Sequence, residues 1–165
     1  MLDKSKKYGI LGLARSGIAA AFKLKELGIT PFLSELRPAA EITGAEQLTK
    51  NFSCEFGGHT DKLLQCDCLI VSPGIPLNTP IIQKAKDRNI DLISEIELGY
   101  RIKAEDSKII AVTGSNGKST TVSLIQHILQ QIGKKSILAG NIGDAFCSYS
   151  IEKPGIEYIV LEISS

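Results

Sequence analysis

The apolar run Ile109-Ile110-Ala111-Val112 passes directly into Thr113-Gly114-Ser115-Asn116-Gly117-Lys118-Ser119-Thr120-Thr121, and few local structures accommodate both halves. The first half has the β-branched composition of a buried strand. Beyond Ser119, apolar residues recur at Val122, Ile125, Leu129 and Ile132, a helical period. Strand, glycine loop with Lys and Ser, then helix is the layout of a phosphate-binding loop. Gly114 and Gly117 let the backbone bring its N–H groups against phosphate oxygens, where a side chain would clash. A helix starting near Lys118 adds unsatisfied N–H groups and the positive end of its dipole. In such a loop Lys118 supplies a cation to the β- and γ-phosphates, and the Ser119 hydroxyl a ligand to Mg²⁺. Val112 stands where the general pattern has a glycine, and the plain alternative is an ordinary strand-to-helix turn. Gly-Lys-Ser-Thr at this junction favours a nucleoside triphosphate site.

Nearer the N-terminus, the strand Tyr8–Leu11 precedes Gly12-Leu13-Ala14-Arg15-Ser16-Gly17. Apolar residues at Ile18, Ala21, Phe22, Leu24 and Leu27 follow, and Gly28 ends that helix. The glycines resemble a dinucleotide-binding fingerprint, with Ala14 in place of the second glycine. That replacement argues against a full NAD site and leaves room for another phosphate-bearing ligand. Ile29–Leu33 reads as the next strand, running into Ser34-Glu35. Glu35 sits where an acid contacts a ribose or base, or else it opens a polar loop.

Further strands are expected at Cys54–Phe56, Asp67–Val71 and Leu92-Ile93, with a short helix around Ala45–Lys50. The strand ending at Val71 meets Ser72-Pro73-Gly74, which either contacts a phosphate at the ligand end of a sheet or simply stops the strand. Thr79 reads as a helix N-cap ahead of Pro80, and Ser94-x-x-Glu97 has capping-box spacing. Strands alternating with helices throughout predict parallel α/β sheets: a Rossmann-like domain over 1–106, then the start of a phosphate-loop ATP-binding α/β domain over 107–165. The break falls in the short polar stretch Ala104–Ser107.

A net charge of +1 gives no reason to expect nucleic acid or an anionic membrane as partner. No apolar run reaches the ~20 residues of a membrane span, and no signal-peptide stretch precedes the first strand. Cys54, Cys66, Cys68 and Cys147 lack zinc-ligand spacing with His59 or His127, so they read as reduced, mostly buried cysteines of a cytoplasmic protein. Glu162, inside the apolar run Ile159–Ile163, is the acid best placed to hold Mg²⁺ with Ser119, unless it lies at a strand end facing water. From Ser107 onward only Ile109–Thr113, Ser136–Leu138 and Tyr158–Ile163 read as strands, few for a nucleotide-binding domain of about five or six, so a longer polypeptide is expected.

Thr113–Thr121, Gly140-Asn141-Ile142-Gly143 and Leu161-Glu162-Ile163-Ser164-Ser165, in this order, resemble the Mur ligases, whose loop also lacks the first glycine. Gly12–Gly17 and Val71–Pro76 resemble the branch that joins D-glutamate to UDP-N-acetylmuramoyl-L-alanine in peptidoglycan precursor synthesis. The resemblance implies that the first domain holds UDP rather than NAD. Arg15, Ser16 and Gly17 would meet the diphosphate, Glu35 and Arg37 the uridine, and Ser72 and Gly74 the phosphate–sugar side. Asn141 would approach the substrate beside the metal; Lys118 and Glu162 would serve catalysis. Leu36 stands where the family often has a hydroxyl.

The implied chemistry is ATP-driven: a carboxylate attacks the γ-phosphate, and an amine then displaces phosphate from the acyl phosphate. The resemblance also implies three domains and a cytoplasmic enzyme, monomeric at full length. A further His, a modified Lys and the D-glutamate-gripping domain are not among these residues, so this chain alone is expected to form no amide bond. An incomplete sheet would expose an edge and an apolar face, which favours self-association. A stand-alone nucleotide-sugar-binding module and a sister ligase for another amino acid are the competing readings.

Overall fold

The computed structural model describes residues 2–149 and 155–164. Ser165, the last residue of the Leu161–Ser165 motif, lies outside them. The chain divides into two compact units, Met1–Leu98 and Gly99–Ser165.

In the first unit, β1 (Tyr8–Leu11), β2 (Phe32–Glu35), β3 (Cys54–Phe56), β4 (Cys68–Val71) and β5 (Asp91–Ser94) form one parallel sheet in the order β3-β2-β1-β4-β5. This is the strand order of the doubly wound nucleotide-binding fold, with its switch point between β1 and β4. Central strands of such a sheet are covered on both faces and therefore read as continuous apolar runs. All four residues of β1 and of β4 are accordingly buried. Leu11, Leu69 and Val71 pack with Leu63, Ile81, Ile82 and Ala85, the last three from α3 (Pro80–Asp87). The helix α1 (Arg15–Glu26) follows β1, and α2 (Ala45–Asn51) follows β2.

One local expectation is corrected. The second strand begins at Phe32, not Ile29, because Pro31 has no N–H for the ladder and the Ile29 N–H still closes α1 on Leu24 O. Glu35 is therefore the last residue of the strand itself. Thr79 holds the expected N-cap position of α3 ahead of Pro80, and its hydroxyl donates back to Pro76 O at 2.5 Å rather than accepting from the helix. Ser94 does cap, accepting the Glu97 N–H at 3.1 Å at the start of α4 (Glu95–Ile102).

In the second unit, β6 (Lys108–Val112), β7 (Ser136–Gly140) and β8 (Tyr158–Glu162) make a parallel sheet in the order β6-β8-β7. The helix α5 (Lys118–Gln131) lays Val122, Ile125 and Leu129 on Ile110, Val112, Leu138 and Val160. Its outer face keeps Leu124, Ile128 and Ile132 exposed. No described helix is long and apolar enough to cross a membrane.

Candidate functional site

Parallel strands bring the loops that follow them to one edge of a sheet, so each unit gathers its candidate residues at its own carboxyl edge. In the first unit the loop after β1 turns at Gly12, whose carbonyl accepts the buried Ser72 hydroxyl at 2.7 Å. Gly17, in the first turn of α1, lies against the same carbonyl. A Cβ there would sit 2.0 Å from Gly12 O and 2.9 Å from Ser72 Oγ, so only glycine fits. Gly17 and Ser72 thus bind the loops after β1 and β4 together, and the Ser72 proton is spent on that bond. Gly74 and Arg15 are exposed and Ser16 half-buried. A Cβ on Gly74 would meet nothing. The cap of α1 is Ala14, which offers no side-chain bond, and no acid lies in the first turn. A helix start with no acid beside it puts the positive end of its dipole where an anion is favoured.

Glu35 is 5% exposed and accepts four hydrogen bonds: Leu13 N–H at 2.7 Å, Arg37 N–H and Nε at 3.1 Å, and an Arg37 terminal nitrogen at 3.2 Å. Burial alone would raise its pKa, but the bonds from Arg37 and Leu13 outweigh that and hold it down to about 2. Those bonds fill the lone pairs of both oxygens, so Glu35 shapes the loop after β1 and fixes Arg37. Leu36, beside it, is exposed.

The loop after β3 is tied to the same corner. Gly57 N–H donates to Arg37 O at 3.0 Å, and Gly58 N–H to Glu35 O at 3.3 Å. Next to them the fully buried Ser34 hydroxyl lies 2.6 Å from Glu55 Oε1 and 2.8 Å from His59 Nδ1. The sequence reading passed over this Glu55–Ser34–His59 chain. Its one local signal is Gly57-Gly58, which marks a tight loop after the strand without revealing the partners of His59.

In the second unit Glu162 ends β8 opposite Val112 on one side and Gly140 on the other. The phosphate-loop candidate therefore leaves β6 beside the carboxylate. Gly117 caps α5 at φ +75°, a left-handed conformation that glycine adopts without strain. Ser115, Asn116, Ser119 and Thr120 are exposed, while Gly114 and Lys118 are half-buried. Lys118 Nζ donates to Gly114 O at 2.6 Å, and Thr121 Oγ1 to Gly117 O at 2.8 Å. Gly140 is equally constrained: a Cβ there would lie 2.2 Å from Glu162 O. Asn141 N–H donates to that Glu162 carbonyl at 3.1 Å, and Ser164 Oγ to Asn141 Oδ1 at 2.9 Å.

Glu162 is 5% exposed, and its Oε2 is buried with no hydrogen-bond partner. An ionised carboxylate left this way costs several kcal/mol, roughly, unless a cation meets it. The donor set suits Mg²⁺, which takes one or two protein oxygens and completes its shell with water and phosphate. No group of three or more His, Cys, Asp or Glu among the described residues is arranged to hold a metal alone. None of the four cysteines is in a disulfide, and three of them are buried.

Residues 6–94 match the family of Mur ligase MurD-like N-terminal domains, and residues 112–165 match the Mur ligase middle domain. The chain is 39% identical to the UDP-N-acetylmuramoylalanine–D-glutamate ligase of Elusimicrobium minutum, over 98% of this chain and 36% of that protein. It is 37% identical to the ligase of the same name from Bacillus thuringiensis, with the same coverage. It therefore spans 36% of the length of these relatives. Among solved structures it resembles a murein peptide ligase of Psychrobacter arcticus, at TM-score 0.58 and 21% identity over 95% of this chain and 37% of that one. It also resembles the UDP-N-acetylmuramate–alanine ligase of Thermotoga maritima, at TM-score 0.52 and 19% identity over 96% and 37%. At these identities the structural likeness concerns the fold.

Proposed function

The chain belongs to the Mur ligase family, and from that membership we propose that it carries the UDP-substrate and ATP sites of a D-glutamate-adding ligase, MurD. The reaction is ATP-dependent amide formation between UDP-N-acetylmuramoyl-L-alanine and D-glutamate, through an acyl phosphate, in cytoplasmic peptidoglycan precursor synthesis. Residues 1–106 form the UDP-substrate domain, and 107–165 belong to the ATP-binding domain. Arg15, Ser16 and the N-terminus of α1 receive the diphosphate, with Gly17 and Ser72 holding the loop in place. Arg37, fixed by Glu35, faces the nucleoside, and Asn141 meets the substrate near the metal.

In the second unit the loop Gly114–Thr120 wraps the triphosphate. Lys118, now on the Gly114 carbonyl, transfers its bond to the β- and γ-phosphates when they arrive. Ser119 and Glu162 would hold Mg²⁺, which offsets charge on the transferring phosphoryl group. The residues act mainly by positioning and charge compensation. D-glutamate contacts and turnover belong to parts of the longer ligases that this chain does not span.

The observation that carries the proposal is the buried, partnerless oxygen of Glu162 beside the phosphate loop. Glu162→Gln tests it. The variant should lose Mg²⁺-dependent ATP binding while its melting temperature stays level or rises, because an uncompensated buried charge has been removed. ATP affinity that is unchanged, with the same Mg²⁺ dependence, would overturn the metal role.

A further inference from the structure

The Glu55–Ser34–His59 chain ends on an imidazole, and its geometry decides which ring nitrogen is free. Burial works against the charge of Glu55, but hydrogen bonds from Ser34 and Thr60, with Lys62 nearby, hold its carboxyl below the usual range. An ionised carboxylate only accepts, so the Ser34 proton lies between Ser34 Oγ and Glu55 Oε1. Ser34 Oγ must then accept from His59, which places the ring proton on Nδ1. The neutral ring leaves Nε2 as a bare acceptor. That nitrogen has no partner among the described residues. Burial lowers the pKa of His59, against the pull of Glu55 and Glu35, so the ring is neutral in mildly alkaline solution.

The place of the ring follows from the topology. Outward from β1 the sheet runs β2, then β3. A nucleotide with its phosphates on the turn into α1 lays its ribose over the end of β2 and its base beyond, toward β3. The strand β3 ends at Phe56, and the next three residues are Gly57-Gly58-His59, tied by backbone bonds to Arg37 and Glu35. Glu35 has no lone pair to spare for a base. His59 Nε2 offers an acceptor in the loop that follows β3.

We propose that His59 is a specificity-determining residue that reads the base of the nucleotide, Nε2 accepting a ring N–H. Uracil offers that donor at N3, where cytosine carries a bare nitrogen. The inference rests on the reading above that a uridine-diphosphate substrate occupies the first unit.

The test titrates UDP and CDP into the chain, its Arg15→Ala variant, and the His59→Asn and His59→Ala variants. The two nucleotides carry the same diphosphate, so their affinity ratio isolates the base. Asn at this position keeps an N–H for Ser34 but lacks the outer nitrogen. The native chain should prefer UDP by about tenfold. H59N should bring the ratio close to one through weaker UDP binding, with its melting temperature retained. H59A, which lacks both ring nitrogens, serves the same comparison if H59N is unstable. A ratio unchanged in whichever variant folds, while UDP binding still depends on Arg15, overturns the role of His59 alone. Absence of UDP binding to the native chain overturns the substrate reading, and this inference with it.

Discussion

Glu35 shows how far a side chain can be read before its neighbours are known. Its place at the end of the second strand was legible; its saturation was not, because it depends on Leu13 N–H, distant in sequence and brought in by the turn at Gly12. The same limit hid the Glu55–Ser34–His59 chain, whose members are 21 and 25 residues apart and carry no periodic signal. Acid unfolding reports on Glu35 directly. Its carboxyl is held at about 2 in the folded chain against an ordinary 4.5, a depressed value. Its stabilisation is therefore complete above the ordinary value and disappears as pH falls from 4.5 toward 2. With Arg37 half-exposed and screened by water, this amounts to about 2 kcal/mol. Denaturant unfolding of the native chain and Glu35→Gln, each at about pH 6 and about pH 3, should show the native chain losing more stability on acidification. Equal losses would mean that the Arg37 and Leu13 bonds do not hold the carboxylate.

Among the secondary-structure elements, the buried strands and the glycine turn from β6 into α5 were the most legible, since continuous apolar runs and Gly-Lys-Ser report on local structure. The start of β2 was misplaced because Ile29 and Thr30 look strand-like, while Pro31 silently removes a ladder donor. The role of Gly17 was legible only in part. Its position suits a diphosphate contact, but its immediate constraint is the 2.0 Å that a Cβ would leave to Gly12 O. Gly17→Ala should therefore destabilise the first unit by about 2–4 kcal/mol, or unseat the Ser72–Gly12 bond. Gly74→Ala, in open space, should leave stability unchanged and serve as the control. Thermal melting of both variants separates the two, and equal melting temperatures would contradict the close approach.

For the whole molecule, two sheets with different connectivity each lead their first strand through a glycine turn into a helix, and both units match Mur ligase domain families. The second unit leaves Leu124, Ile128 and Ile132 in a row along the outside of α5, at 50–64% exposure. Such a stripe favours association. Replacing all three with Gln should shift sedimentation toward monomer at high protein concentration, with little change in melting temperature; an unchanged distribution would show the stripe to be inert. The claim that each unit holds its own ligand is tested most directly by calorimetry. UDP-N-acetylmuramoyl-L-alanine and Mg-ATP are titrated separately into the native chain, Arg15→Ala and Lys118→Ala. Arg15→Ala should weaken only the UDP substrate, and Lys118→Ala only ATP, each by about tenfold or more. If neither ligand binds the native chain, or each variant leaves its own ligand unaffected, the assignment of two separate phosphate sites is contradicted.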